Sequence, residues 1–240
     1  MTRPLVAITG ASSGIGEAAA IAFSRAGYSL LLMARRTHRM EALDLPNTLC
    51  RQVDVRDRAA IAAALKEAAA VYGPVDCLFN KAGIARLGDV SKQVPEDWEE
   101  MIAINATGVM NGVHAVMTGM IERRHGTIVN MSSIAGRKVY PDHTVYCDTK
   151  FLVHAVSGSL RGQFAPYDVR VIVISPSIVE TEVPQHVRDE TTLGNYQANK
   201  VRIGGGIAAE RVAGMVLFAY QMTQNVLTQE ICVTPTRQEH

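Results

Sequence analysis

Tyr146 and Lys150, in the stretch TVYCDTK, stand four residues apart, so a helix opening here would carry a phenol and an ammonium group on one face. The ordinary tyrosine pKa of about 10 is too high for efficient proton exchange near neutrality, and a nearby positive charge favours the phenolate. The pair is a candidate acid/base centre in which Lys150 tunes Tyr146.

A second chemical signal is TGASSGIG, Thr9 to Gly16, with glycines at 10, 14 and 16 between an apolar run and a helical one. A strand, a glycine-rich turn and a helix N-terminus make an anion site: free backbone N–H groups and the positive end of the helix dipole point at a pyrophosphate, and glycine permits close approach. The same letters also read G-x-S-x-G, with Ser12 placed as a hydrolase nucleophile. That reading needs an earlier strand and loop to donate an oxyanion N–H, and only a handful of residues precede Gly10.

These groups need a frame. LVAIT, YSLLLMA, LCRQVDV, VDCLFN, GTIVNMS, VRVIVIS and EICVT read as strands, most of them apolar on both faces, as in a parallel sheet covered by helices. Between them, helical patterns end at Gly27 and at Gly73, and a long one runs through PEDWEEMIAINATGVMNGVHAVMTGMIERR. The alternation predicts a Rossmann-type, doubly wound parallel α/β sheet with helices on both faces, one domain over residues 1–240. Val183 to Gly206 breaks the alternation; it is polar, weakly periodic and closed by three glycines, as a substrate lid or a plain surface excursion would be.

Composition narrows the classes. With 240 residues and 48% hydrophobic content the chain can bury a full core, and its net charge of +1 leaves no basic excess for nucleic acid. Cys50, Cys77, Cys147 and Cys232 form no C-x-x-C pair, so neither a metal site nor a disulfide framework is indicated. No apolar run is long enough for a bilayer, and MTRPLVAITG meets its glycine turn before a signal core could form. A cytoplasmic protein with no membrane partner is expected.

In order along the chain, TGASSGIG, NKAG, Asn105 in IAINATG, Ser133 in IVNMSSIAG, and Tyr146 with Lys150 resemble the motif set of the classical short-chain dehydrogenase/reductase family. The resemblance covers nearly the whole chain. It implies a carbonyl/alcohol oxidoreductase in which Tyr146 exchanges the proton, Ser133 holds the substrate oxygen, Lys150 also grips the nicotinamide ribose and Asn105 holds a water in the proton relay. Ser132 competes with Ser133, but adjacent strand-end serines cannot both face a site, and Ser133 has the family spacing. A protein that binds the cofactor as a sensor or scaffold without turnover is the alternative, and it has little need of Ser, Tyr and Lys together.

The resemblance also implies a nicotinamide cofactor held by Gly10, Ser12, Ser13, Gly14, Ile15 and Gly16, by Asn80, Ala82 and Gly83 of NKAG, and by Pro176, Ile178 and Thr181 of SPSIVET. Where NAD enzymes carry an acid after the second strand, this chain has Ala34, then Arg35 and Arg36, which favours the 2′-phosphate of NADP(H) over a merely solvated loop. Asp54, with Val55 beside it, matches an adenine contact and could equally cap the next helix.

Three positions depart from the family pattern: Lys81 for asparagine, Asp148 for a small residue and Ser177 for glycine. A lysine has no acceptor to tie strand ends together, though it could strengthen NADP binding, and Ser177 would be strained at positive φ. The ending NVLTQEICVTPTRQ is similar to NADP-dependent members acting on 3-hydroxy acids, serine-like compounds and ketones, and His186, Arg188, Lys200 and Arg202 could meet a carboxylate from the lid. Family habit further implies a homodimer or homotetramer, through the helix spanning Trp98 to Ala115 and the one after Tyr146.

Overall fold

Leu5 to Ile8, Leu30 to Met33, Cys77 to Phe79 and Val171 to Ile174 are almost wholly shielded from solvent, as strands covered on both faces must be. In the computed structural model, which describes residues 3–238, they belong to a parallel sheet. The elements run β1 (Arg3–Thr9), α1 (Gly14–Arg25), β2 (Tyr28–Ala34), α2 (Thr37–Glu41), β3 (Thr48–Gln52), α3 (Arg58–Tyr72), β4 (Val75–Asn80), α4 (Pro95–Ile102), α5 (Gly108–Glu122), β5 (Gly126–Met131), α6 (Thr144–Phe164), β6 (Val169–Pro176), α7 (Glu190–Arg202), α8 (Ala209–Gln221) and β7 (Glu230–Val233).

The strand order is β3-β2-β1-β4-β5-β6-β7, and every pairing is parallel. The chain leaves β1 toward one edge and returns beside it as β4, which opens a crevice past the carboxyl ends of those strands. Side chains alternate across each strand. Val6 and Ile8 face a core with Ala19 and Phe23 of α1 and Val212 and Val216 of α8, while Leu5 and Ala7 face one with Ile61 of α3, Val113 of α5 and Leu160 of α6.

The long helix expected after Pro95 is interrupted: Ala103–Thr107 winds as a π-helical turn between α4 and α5. Asn105 sits in that turn. The stretch expected as a lid is largely helix α7, whose N-cap Asp189 accepts a 2.7 Å bond from the Thr192 N–H. Helices α2 and α8 were not anticipated, the first for its brevity and the second because it follows an irregular stretch. Among the described residues no helix is long and apolar enough to cross a membrane, and no group of three or more His, Cys, Asp or Glu is placed to hold a metal.

Candidate active site

At the β1–α1 turn Gly10 has φ +66°, and a Cβ there would stand 2.7 Å from the Ala82 Cα, so only glycine fits. Gly16 answers a different need: it does not line the cleft, and a Cβ on it would meet the Gly10 carbonyl oxygen at 2.3 Å. Ser13 supplies no side-chain cap to α1, so the first N–H groups of that helix keep their anion-binding capacity. A pyrophosphate fits this cradle. Ser12 and Ser13 line the same cleft, about 670 Å³ in volume, with Gly14, Ile15, Ala82, Gly83, Pro176, Ile178 and Thr181.

At its far end lie Ser133, Tyr146 and Lys150. Helix α6 begins at Thr144, so Tyr146 and Lys150 do share a helical face; the Lys150 Nζ lies 5.6 Å from the Tyr146 ring centroid and donates a 3.1 Å bond to the Met131 carbonyl. Burial pushes Tyr146 up to about 12, with the Ser133 hydroxyl pulling the other way. Burial, helped by repulsion from Lys81, brings Lys150 down to about 8. Burial thus works against the phenolate form that a nearby positive charge favours.

Both Ser132 and Ser133 line the cleft, contrary to the expectation that only one could, but their hydroxyls take different partners. Ser132 Oγ donates to the Lys150 carbonyl at 3.1 Å and lies 2.9 Å from His154 Nδ1, while Ser133 stands beside Tyr146 and accepts the Ala135 N–H at 3.1 Å. Asn105 is fully buried and does not line the cleft. Its Oδ1 accepts the Ile84 N–H at 2.9 Å and its Nδ2 donates to the Ile84 carbonyl at 2.8 Å and to Thr149 Oγ1 at 3.2 Å. With both amide hydrogens committed, the side chain ties α6 to the loop after β4 instead of reaching into the cavity. Asn80 also lies behind the cleft: it is 1% exposed, and its Nδ2 donates to Asn130 Oδ1 at 3.0 Å.

The other end of the cleft gathers charge. Arg36 Nη2 reaches Ser13 Oγ at 3.0 Å and Glu182 at 2.8 Å, and Arg39 meets the same carboxylate at 2.5 Å. Arg39 and Glu182 escaped the sequence reading, although Arg39 lies one helical turn beyond Arg36. Arg35 and Val55 line the cleft as well. Asp54 is held below the usual carboxylate range by its hydrogen bonds to Arg56, and Asp57 rather than Asp54 caps α3, accepting the Ala60 N–H at 3.0 Å.

The three departures are accommodated. Lys81 Nζ donates to the carbonyls of Ser13 at 3.2 Å and Gly10 at 3.4 Å, so it ties the turn by donating where an amide would both give and accept. Burial brings its pKa down to about 8. Asp148 is exposed on α6, and Ser177 has no positive φ; its hydroxyl donates to Gln238. The lid cations turn elsewhere: Arg188 pairs with Asp97 at 3.1 Å, Lys200 with Glu180 at 2.5 Å, and Arg202 bonds Asn199 at 2.9 Å. Of the four basic lid residues only His186 lines the cleft, with Tyr140, His143 and Tyr196 nearby in its wall, and burial lowers the pKa of both histidines.

A seven-stranded parallel sheet with a glycine turn at one end of its crevice and Ser, Tyr and Lys at the other defines a dinucleotide-dependent oxidoreductase fold. Residues 4–192 match the model of the short chain dehydrogenase family, and the chain belongs to that family and is an oxidoreductase. A sulfoacetaldehyde reductase of Chromohalobacter salexigens is 36% identical over 97% of this chain and 94% of its own. An NADP-dependent 3-hydroxy acid dehydrogenase of Salmonella typhimurium is 38% identical over 73% of this chain and 72% of its own. The closed form of a serine dehydrogenase complexed with NADP+ superposes with a TM-score of 0.90 at 32% identity, covering 98% of this chain and 96% of that one.

Proposed function

We propose that the protein interconverts a small ketone or aldehyde and the corresponding alcohol with NADP(H), Tyr146 acting as general acid or base. The observation that carries this reading is the Tyr146 phenol beside the Ser133 hydroxyl, with Lys150 one helical turn away on the same cleft. The glycine turn and the α1 N-terminus would hold the pyrophosphate, Lys150 the nicotinamide ribose, and Arg35 and Arg36 the 2′-phosphate. When bound, the nicotinamide supplies or accepts a hydride.

The chain's own residues do the rest. In reduction, Ser133 donates a hydrogen bond to the carbonyl oxygen as negative charge grows on it, and Tyr146 delivers its phenolic proton to that oxygen. The Lys150 ammonium then faces the phenolate left behind and lowers its energy. In oxidation the same proton travels back.

Relatives acting on 3-hydroxy acids, serine and sulfoacetaldehyde support a small polar substrate, a 3-hydroxy or 3-oxo acid or a simple ketone. Since Arg188, Lys200 and Arg202 are engaged outside the cleft, neutral donors such as Tyr140, Asn195 and Tyr196 would recognise it, under a lid formed by residues 183–206. A panel of ketones, 3-keto esters, 3-oxo acids and sulfoacetaldehyde, followed by loss of NADPH absorbance with NADH in parallel, tests the reading. Tyr146→Phe should lower turnover about 10²- to 10⁴-fold and leave NADPH binding in place. Wild-type protein that binds NADPH and turns over no carbonyl would instead mark a cofactor sensor.

A further inference from the structure

The two guanidiniums of Arg36 and Arg39 converge on one carboxylate, that of Glu182, 2.8 and 2.5 Å away. This pairing is long-range: Arg36 and Arg39 belong to the β2–α2 segment, and Glu182 stands where the lid segment begins. The backbone bearing Glu182 lies on the glycine turn, since a Cβ at Gly14 would come within 2.9 Å of the Thr181 Cγ2. Arg36 also reaches Ser13 Oγ, and Ser13, Arg35, Arg36 and Glu182 all line the cleft. The group is thus an anion site built from two forks and a hydroxyl, with one of the protein's own carboxylates as its anion.

A phosphate monoester brings nearly two negative charges and three acceptor oxygens to such a site, against one charge and two oxygens from Glu182. A ribose hydroxyl brings no charge and cannot compete with the carboxylate. We propose that Glu182 is the resident counter-anion of the 2′-phosphate site, displaced from Arg36 and Arg39 by the 2′-phosphate of NADP(H), so that Glu182 sets the affinity for the phosphorylated cofactor. Arg39 thereby becomes a second phosphate-binding arginine beside Arg36. The proposal rests on the NADP(H) reading given above and adds a competitor to it.

Equilibrium titration with NADPH, NADH and 2′,5′-ADP, on wild type, Glu182→Gln, Glu182→Ala and Arg39→Met, separates the two. Two solvent-exposed ion pairs each hold their partners by a small factor, so Glu182→Gln should bind NADPH and 2′,5′-ADP about three- to tenfold more tightly, with NADH changed less than about twofold. Glu182→Ala should repeat the gain, and Arg39→Met should weaken NADPH alone. Unchanged NADPH affinity in both Glu182 variants, or a loss shared equally by NADPH and NADH, would overturn the proposal and leave Glu182 as a clamp on the lid. The NADP(H) reading would survive that result if wild type still prefers NADPH. Equal affinity of wild type for NADPH and NADH, unchanged by Arg39→Met, would remove both.

Discussion

Tyr146 and Lys150 are displaced from their ordinary pKa values in opposite senses for one physical reason, because burial disfavours whichever form carries charge. Tyr146, near 12, remains a proton donor across the neutral range, whereas Lys150 discharges near 8. In the proposed reduction, the ammonium below that value would stabilise the phenolate left on Tyr146; above it that stabilisation would be lost. The kcat/KM for reduction should therefore fall as pH rises through about 8. Lys81 contributes to the depression of Lys150 by charge repulsion, so in Lys81→Asn the falling limb should move to higher pH. A limb that stays in place would show that repulsion between the two lysines is too weak to matter.

At the scale of elements, the π-helical turn between α4 and α5 presents Asn105 to both polar groups of Ile84 and to Thr149. A one-residue bulge in the winding is a local device for turning a side chain that a regular helix would aim elsewhere. Asn105→Leu leaves the Ile84 N–H and carbonyl without this partner in a dry interior, a cost of about 2–4 kcal/mol. Thermal unfolding should shift down accordingly, and kcat should fall with it as Thr149 and its neighbour Lys150 lose their tether. A variant as stable as wild type would mean that water replaces the amide.

For the whole molecule, α4, α5 and α6 leave Ile102, Met110, Phe151 and Leu152 between 38% and 49% exposed after packing on the sheet. The dimer or tetramer that the family resemblance implies, through these helices, would cover them. Light scattering of the purified protein should give a multiple of the chain mass, and Phe151→Asp should shift it toward the monomer. A monomeric wild type would sink this assembly.

Much of this molecule is legible without coordinates wherever the signal is local or periodic. Apolar runs that are buried on both faces disclose parallel strands, glycines in a turn disclose a backbone that tolerates no Cβ, and the i, i+4 spacing of Tyr146 and Lys150 holds because a helix does form there. What packing alone decided lies between distant segments. The Ser132 hydroxyl is engaged by the Lys150 carbonyl and His154 while Ser133 stands beside Tyr146; Lys81 is tolerated because two carbonyls of the glycine turn come within reach; Arg188 and Lys200 are engaged by Asp97 and Glu180; and burial pushes the phenol up although the Ser133 hydroxyl pulls the other way. Arg36 and Glu182 stand 146 residues apart in the chain, and only the folded sheet, by bringing the β2 and β6 ends to one crevice, makes them partners.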